Sequence, residues 1–353
     1  MDADCPCCAP PWAMQAMLRE WNCLKITDDG VDVKWIYRHG DLPNYTSNQH
    51  VNDIVYDSSS DRLYLSESGT TSGNSVVRKL LPSNAALVWK TNLGAAGGSS
   101  LSCQGLAVSS TGVVAVCPSN TTIGSGSNRL RTLDASTGAT VWDVPNAANP
   151  NTSVNFDSSG NLYTSTNNRI LGEVGTTIAW DSSGTLLWAT GHGATSGNCV
   201  YVATDSNLVC SVGLRGTGAN IDTTRVFDMS GVLQWSKDHG ARVNGCAFMS
   251  NGNIVTVGAV SGSVTTRCYD SSGTQQWTAN HTASVNHVCV DEDDNVYTAG
   301  DYVSGVGNVR KYDSSGTLLW SFDYTLGKGS IAANGVAVDN SGYVYIGGNL
   351  VTF

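Results

Sequence analysis

Cys5, Cys7 and Cys8 open the chain as Cys-Pro-Cys-Cys, the first place where residue type and spacing suggest chemistry. Thiolates this close make half of a tetrahedral zinc site, but the partner Cys-x-x-Cys or His pair is missing, so no metal is expected there. A disulfide or a thiol contact with another chain is the better reading. Of the eleven cysteines, Cys103 with Cys117 and Cys199 with Cys210 fall near opposite ends of the same expected hairpins, where a bridge is geometrically open. Cys246, Cys268 and Cys289 read as small buried apolar groups. His39, His50, His192, His239, His281 and His287 are scattered without a shared carboxylate. Asp291-Glu292-Asp293-Asp294 lacks the ligand alternation and Gly of a calcium loop and reads as a solvated turn. A nucleophile elbow, a phosphate loop and paired acids are all missing. No catalytic residue and no cofactor are assigned.

The elements that must carry these residues are set by a repeat. Trp35, Trp89, Trp142, Trp188, Trp235, Trp277 and Trp320 stand 54, 53, 46, 47, 42 and 43 residues apart. Most close one local pattern of an aromatic or Leu, Asp, small residues with Gly, a short apolar run and Trp. Examples are Leu133-Asp134 with Gly138 ending at Trp142, and Phe227-Asp228 with Gly231 ending at Trp235. A period of this length means a repeat architecture. Between the tryptophans lies a second unit that alternates apolar with small or polar residues and turns on Asp, Ser, Asn and Gly. It runs from Val51 to Asp57 and turns into Leu63-Tyr64-Leu65, and recurs at 103–116, 154–163, 198–209, 244–257, 285–297 and 334–345. Both units are antiparallel hairpins by pattern. Two hairpins make a four-stranded blade, and seven blades make an all-β, seven-bladed β-propeller. The last inner hairpin has too little chain after it to finish its blade. Residues 22–38 supply the missing pair, Cys23 to Ile26 and Val31 to Trp35, so that N-terminal strands close the C-terminal blade.

Aligning the inner hairpins on their turns places Asn52, Gln104, Thr152, Asn198, Asn244, Asn286 and Asn334 at one position opening the innermost strand, hence round one mouth of the channel. Such a ring could hold water, a sugar or an ion; the plainer expectation is that each amide bonds the loop entering its own strand. One residue on, the series is Asp53, Gly105, Ser153, Cys199, Gly245, His287 and Gly335. Asp53, Cys199 and His287 interrupt a run of small residues and are able to bind a transition metal, but no ligand spacing supports a site, and none is expected.

The segments ending at Trp142, Trp188, Trp235, Trp277 and Trp320 resemble the PQQ-like propeller repeat, with its Asp, Gly turn and outer-strand Trp. The resemblance covers residues 22 to about 350. It implies that each Trp packs across a blade-to-blade interface. Catalytic members hold vicinal cysteines and a cofactor inside the propeller. The vicinal pair here, Cys7-Cys8, lies outside the repeats, so the resemblance implies a non-catalytic member. Fold resemblance of this kind says little about function.

A formal charge of −10 with only 14% charged residues argues against nucleic acid, which needs a basic stripe. No apolar run of about 18 residues and no basic leader are seen, so neither a membrane span nor a secretion signal is expected. The Ser-, Thr- and Asn-rich turns suit an extracellular particle or virion surface. The chain divides into an arm, residues 1–21, and the propeller, residues 22–353. In the arm, Trp12, Met14, Met17, Leu18 and Trp21 fit two amphipathic helical turns, and with Cys5, Cys7 and Cys8 they form a candidate docking segment. Two function classes follow. The favoured one is a structural or interaction protein whose partner is another protein chain. The alternative is a small-ligand or carbohydrate site at the channel mouth.

Overall fold

The structure, a computed structural model, describes residues 23–27, 33–37, 50–68, 75–93, 101–120, 129–145, 151–166, 174–194, 199–205, 207–213, 223–261, 264–281, 284–303, 306–325 and 329–352. The arm and its expected helical turns lie outside them. Among the described residues every regular element is a strand, and the strands form seven antiparallel blades. The chain begins with β1 (Cys23–Ile26) and β2 (Val33–Tyr37). Blade 1 follows as β3 (His50–Asp57), β4 (Arg62–Ser68), β5 (Val76–Leu80) and β6 (Leu87–Asn92). Blade 2 is β7 (Leu101–Val108), β8 (Val113–Asn120), β9 (Arg129–Asp134) and β10 (Thr140–Pro145). Blade 3 is β11 (Asn151–Phe156), β12 (Leu162–Thr166), β13 (Val174–Trp180) and β14 (Leu186–Ala194). Blade 4 is β15 (Cys199–Thr204), β16 (Leu208–Gly213), β17 (Thr224–Asp228) and β18 (Leu233–Lys237). Blade 5 comprises β19 (Val243–Phe248), β20 (Ile254–Ser261), β21 (Val264–Tyr269) and β22 (Gln275–Ala279). Blade 6 comprises β23 (Val285–Val290), β24 (Val296–Val303), β25 (Val306–Tyr312) and β26 (Leu318–Thr325). The last hairpin is β27 (Gly329–Val338) and β28 (Val344–Thr352).

Blade 7 is completed as the sequence predicts. β28 pairs with β1 from Cys23↔Gly347 to Ile26↔Val344, and β1 pairs in turn with β2. The innermost strands touch their neighbours round the full circle, β27 against β3 included. The seam is fixed by a buried cation. Lys25 Nζ donates to Pro82 O of blade 1 at 3.1 Å, lies 3.6 Å from Asp339 Oδ2, and sits 4.0 Å above the Tyr343 ring.

The outer turns of blades 2 to 6 are built by an Asp, whereas blade 1 uses Asn84, whose Oδ1 accepts Ala86 N–H at 3.0 Å. In Asp181, Asp228, Asp270 and Asp313, Oδ1 accepts the backbone N–H groups two and four residues on, plus a Ser hydroxyl. Those bonds favour the ionised form and hold the carboxyls below their usual range. The Gly that follows lies at positive φ, 85° at Gly184 and 87° at Gly231. A Cβ on Gly231 would stand 2.8 Å from Trp188 Cδ2 of the preceding blade, so backbone and neighbour both demand glycine.

The tryptophans therefore bridge blades, as the family resemblance implies. Trp89, Trp142, Trp188, Trp235 and Trp277 each donate Nε1–H to a carbonyl in the next blade's turn: Ala135, Ser182, Met229, Ser271 and Ser314, at 2.8–3.0 Å. All five, and Trp320, are half-buried rather than buried in the core, because the outermost strand leaves one ring edge to solvent. The side chain of Trp35 is outside the described residues. Trp188→Ala is expected to destabilise by about 2–4 kcal/mol, the lower part of the range for a large aromatic truncation. A shift below about 1 kcal/mol in denaturant unfolding would show that the bridge contributes little.

Candidate functional site at the propeller axis

Each innermost strand carries a β-bulge at its entry, and the bulge decides which side chains reach the axis. Register shifts fall between Val51 and Asp53, Asn151 and Ser153, Val243 and Gly245, Val285 and His287, and Ala333 and Gly335. Asn52, Thr152, Asn244, Asn286 and Asn334 are thus the bulged residues of their strands, a feature the alignment does not specify. In β7 the shift spans Gln104 and Gly105. Blade 4 departs from the expectation. Its shift lies between Cys199 and Tyr201, so Val200 is the bulged residue and Tyr201 the axial one. Cys199 pairs with Gly213, before the bulge and not at the axial position assigned to it, because the turn of that hairpin is shorter than an alignment on turns assumes; Asn198 lies outside the described residues.

Four amides reach across to the neighbouring blade. Asn52 Nδ2 donates to Cys103 O at 2.8 Å, Asn244 to Val285 O at 2.8 Å, Asn286 to Ala333 O at 3.1 Å and Asn334 to Val51 O at 3.0 Å. Every acceptor lies in the next blade, one residue before that blade's own bulge. Along the arc from blade 5 through blades 6, 7 and 1 to blade 2 the amides clasp innermost strands head to tail. Asn52 also donates to Ser68 Oγ. The side chains of Gln104, Thr152 and Asn198 are outside the described residues.

The axial position shows a second set of ties. Gly105, Gly245 and Gly335 are small because the adjacent strand crowds them: a Cβ on Gly105 would meet Ser153 Cα at 2.8 Å. Asp53 Oδ2 accepts Leu106 N–H of blade 2 at 3.1 Å, and its Oδ1 accepts Ile54 N–H at 2.9 Å. His287 Nδ1 accepts Val336 N–H of blade 7 at 3.3 Å. Across the axis, His287 Nε2 lies 3.1 Å from Tyr201 Oη and 3.5 Å from Asp53 Oδ1. Asp53 and His287, singled out in the sequence, do come together, with Tyr201 in place of Cys199. Burial pushes the Asp53 carboxyl up to about 7 against its two backbone bonds, and pushes His287 down to about 4.

Could this trio hold a metal? Because a backbone N–H donates into Nδ1, a neutral His287 must carry its proton on Nε2, and that nitrogen then has no lone pair to offer. Nε2 is instead a donor toward Tyr201 and Asp53. Thiol chemistry is equally unsupported. Burial pushes Cys103 and Cys268 up to about 12 and Cys117 and Cys289 well above the usual range, so none offers a thiolate. Cys103, Cys117 and Cys210 are free thiols, and Cys103 faces Pro118 rather than Cys117 in the ladder.

A histidine position passed over in the sequence is repetitive after all. His192, His239 and His281 each stand four residues after a blade tryptophan and are buried. His192 and His239 stack on Phe227 and Tyr269 of the next blade and His281 packs at a tilt against Tyr312, with centroids 5.6–6.1 Å apart. Tyr269 and Tyr312 hydroxyls meet His239 and His281 Nε2 at 3.0 and 3.1 Å. The spacing Trp-x-x-x-His could have revealed them. An open cleft between the inner turns of blades 6 and 7 is lined by Tyr56, Asp291, Glu292, Lys311 and Asp339 among others. Asp291 spends one oxygen on Asp293 and Asn295 N–H and the other on Asn295 Nδ2 and Tyr297 Oη. The acidic run is thus a structured turn.

A family model described as outer membrane protein assembly factor BamB, of the PQQ-like repeat type, matches residues 219–352, from the outer half of blade 4 to the last strand. No curated protein matches the chain. Among the described residues no helix is long and apolar enough to cross a membrane. With seven four-stranded blades closed by its N-terminal strands, this protein is a seven-bladed β-propeller, and over residues 219–352 its repeats match the PQQ-like family model.

Proposed function

We propose that this propeller is a non-enzymatic interaction protein that meets a partner protein chain through its outer rim and its N-terminal arm. The observation that carries the reading is a periodic apolar rim. Leu87 and Val88, Val141, Leu186 and Leu187, Val232 and Leu233, and Leu318 and Leu319 are 45–58% exposed. They precede the tryptophans of blades 1, 2, 3, 4 and 6, while blade 5 has Gln275 and Gln276 there. Large aliphatic groups repeated on edge strands mark contact surfaces. The axis agrees with this reading, since Asn52, Asn244, Asn286 and Asn334 each donate Nδ2–H to the neighbouring blade, which weighs against a ligand site at the mouth. Three cysteines, two tryptophans and, besides Met1, two methionines fall within residues 1–21, an apolar density that favours burial against another protein. The low charge suits a component of a larger assembly such as a virion or cell surface.

Deleting residues 1–19 is expected to leave the seven-bladed fold intact and to abolish the assembly formed by the full chain, read by size-exclusion chromatography with mass determination. A deletion variant that unfolds, or full and deleted chains that stay equally monomeric at every concentration, would overturn the docking role of the arm.

A further inference from the structure

We propose that the axial carboxyl of Asp53 is a pH-sensing group of the ring: the closed propeller holds a proton there that the opened chain does not, so the contribution of Asp53 to closure falls as pH rises. The argument starts from position. Asp53 is 4% exposed and leaves the innermost strand of blade 1. It reaches Leu106 N–H in blade 2 and His287 in blade 6. His287 in turn joins Val336 of blade 7 and Tyr201 of blade 4. One carboxyl therefore stands at a node of five blades.

Among the described residues no cation stands beside it. On β23, His287 is held neutral by the Val336 N–H that occupies Nδ1, and Cys289 is a thiol. From β15 comes the Tyr201 phenol, from β19 Cys246 and from β7 Cys103; burial keeps the phenol, Cys103 and Cys289 protonated. On the neighbouring strands of blade 1, Glu67 and Arg78 are buried and paired with each other, Arg78 Nε lying 3.0–3.1 Å from both Glu67 oxygens. An ionised Asp53 would rest on two backbone N–H groups and the Nε2–H of a neutral imidazole, with no opposite charge to offset its lost hydration.

The sign follows from linkage. A carboxyl whose folded pKa lies above its unfolded value binds more protons in the fold, so its contribution is present at low pH and lost as pH rises through that interval. His287, shifted the other way, opposes it over the acid half, so the readout must isolate Asp53. The wild type and D53N are compared by denaturant unfolding from pH 5 to 9. Asn cannot ionise, and any constant offset it brings does not alter the slope. The wild-type folding constant divided by that of D53N is expected to fall up to about tenfold per pH unit between pH 5 and 7 and to be flat above pH 8. Parallel curves would overturn the proposal. Infrared spectroscopy on the wild type alone decides the matter should D53N fail to fold. A protonated carboxylic acid band at pH 6 that disappears by pH 9 is expected, and an Asp53 already ionised at pH 6 overturns the proposal.

Discussion

Lys25→Met should destabilise the protein by about 2–4 kcal/mol, although it changes only one residue, at the seam of the ring. Burial lowers the Lys25 pKa, and the nearby Asp339 carboxylate opposes that shift. The ammonium is retained because every direction round it is complementary: Asp339 Oδ2 at 3.6 Å, Pro82 O at 3.1 Å and the faces of Tyr343 and Tyr345. Removing it leaves the Asp339 carboxylate buried without its cation, though still bonded by Ser341 and Tyr343 N–H and by Tyr345 Oη. Both partners have side chains only 7–8% exposed, so little solvent screening reduces the loss. K25M/D339N should recover part of it in a double-mutant cycle. By contrast Arg129, 37% exposed in its pair with Asp143, should cost less than about 1 kcal/mol as Arg129→Ala. Equal small losses for both would mean that the terminal seam is not where the ring is held. Cutting the chain after Asn334 removes β28, the strand to which β1 pairs, and should abolish cooperative unfolding altogether.

Acid should unfold the propeller steeply, and for a reason located in three blades. Burial depresses His192, His239 and His281 each to about 3. An unfolded chain protonates them near 6.5, so between that value and about 3 it binds up to three more protons than the fold. The folded pKa values are lowered, so this stability is fully present above the unfolded pKa and is lost as pH falls. The limiting slope is about 4 kcal/mol per pH unit, three times the single-group value. The axial pair adds almost nothing in that interval. Asp53 gains a proton on folding where His287 loses one, and the two cancel. Unfolding midpoints in denaturant measured at pH 7, 6, 5 and 4 should therefore fall with increasing steepness. Replacing His281 by Gln should remove about a third of the slope. A slope unchanged in H281Q, or stability level down to pH 4, would show that the histidines are hydrated or protonated in the fold.

The repeat was legible from residues alone because its demands are local. An Asp that accepts its own turn's N–H groups and a Gly at positive φ recur in the outer turns of blades 2 to 6, and a Trp recurs on the outer strand of each blade, so the tryptophans count the blades. The missing outer hairpin at one terminus and the spare one at the other gave the closure for the same reason, since an open edge has to be paired. Which side chains meet at the axis was not legible to the same degree. That depends on the bulge in each innermost strand. In β15 the bulge falls at Val200, two residues beyond the place an alignment on turns would give it, which puts Tyr201 rather than Cys199 against His287. The direction of the amides was hidden too: Asn334 and Val51 lie 283 residues apart and become neighbours only when the ring closes. Sequence thus determined what each blade must contain, because turns and strand pairing act over a few residues. Only the tertiary structure decided which polar groups the blades share, because a bond across the axis joins strands whose relative register no local pattern encodes.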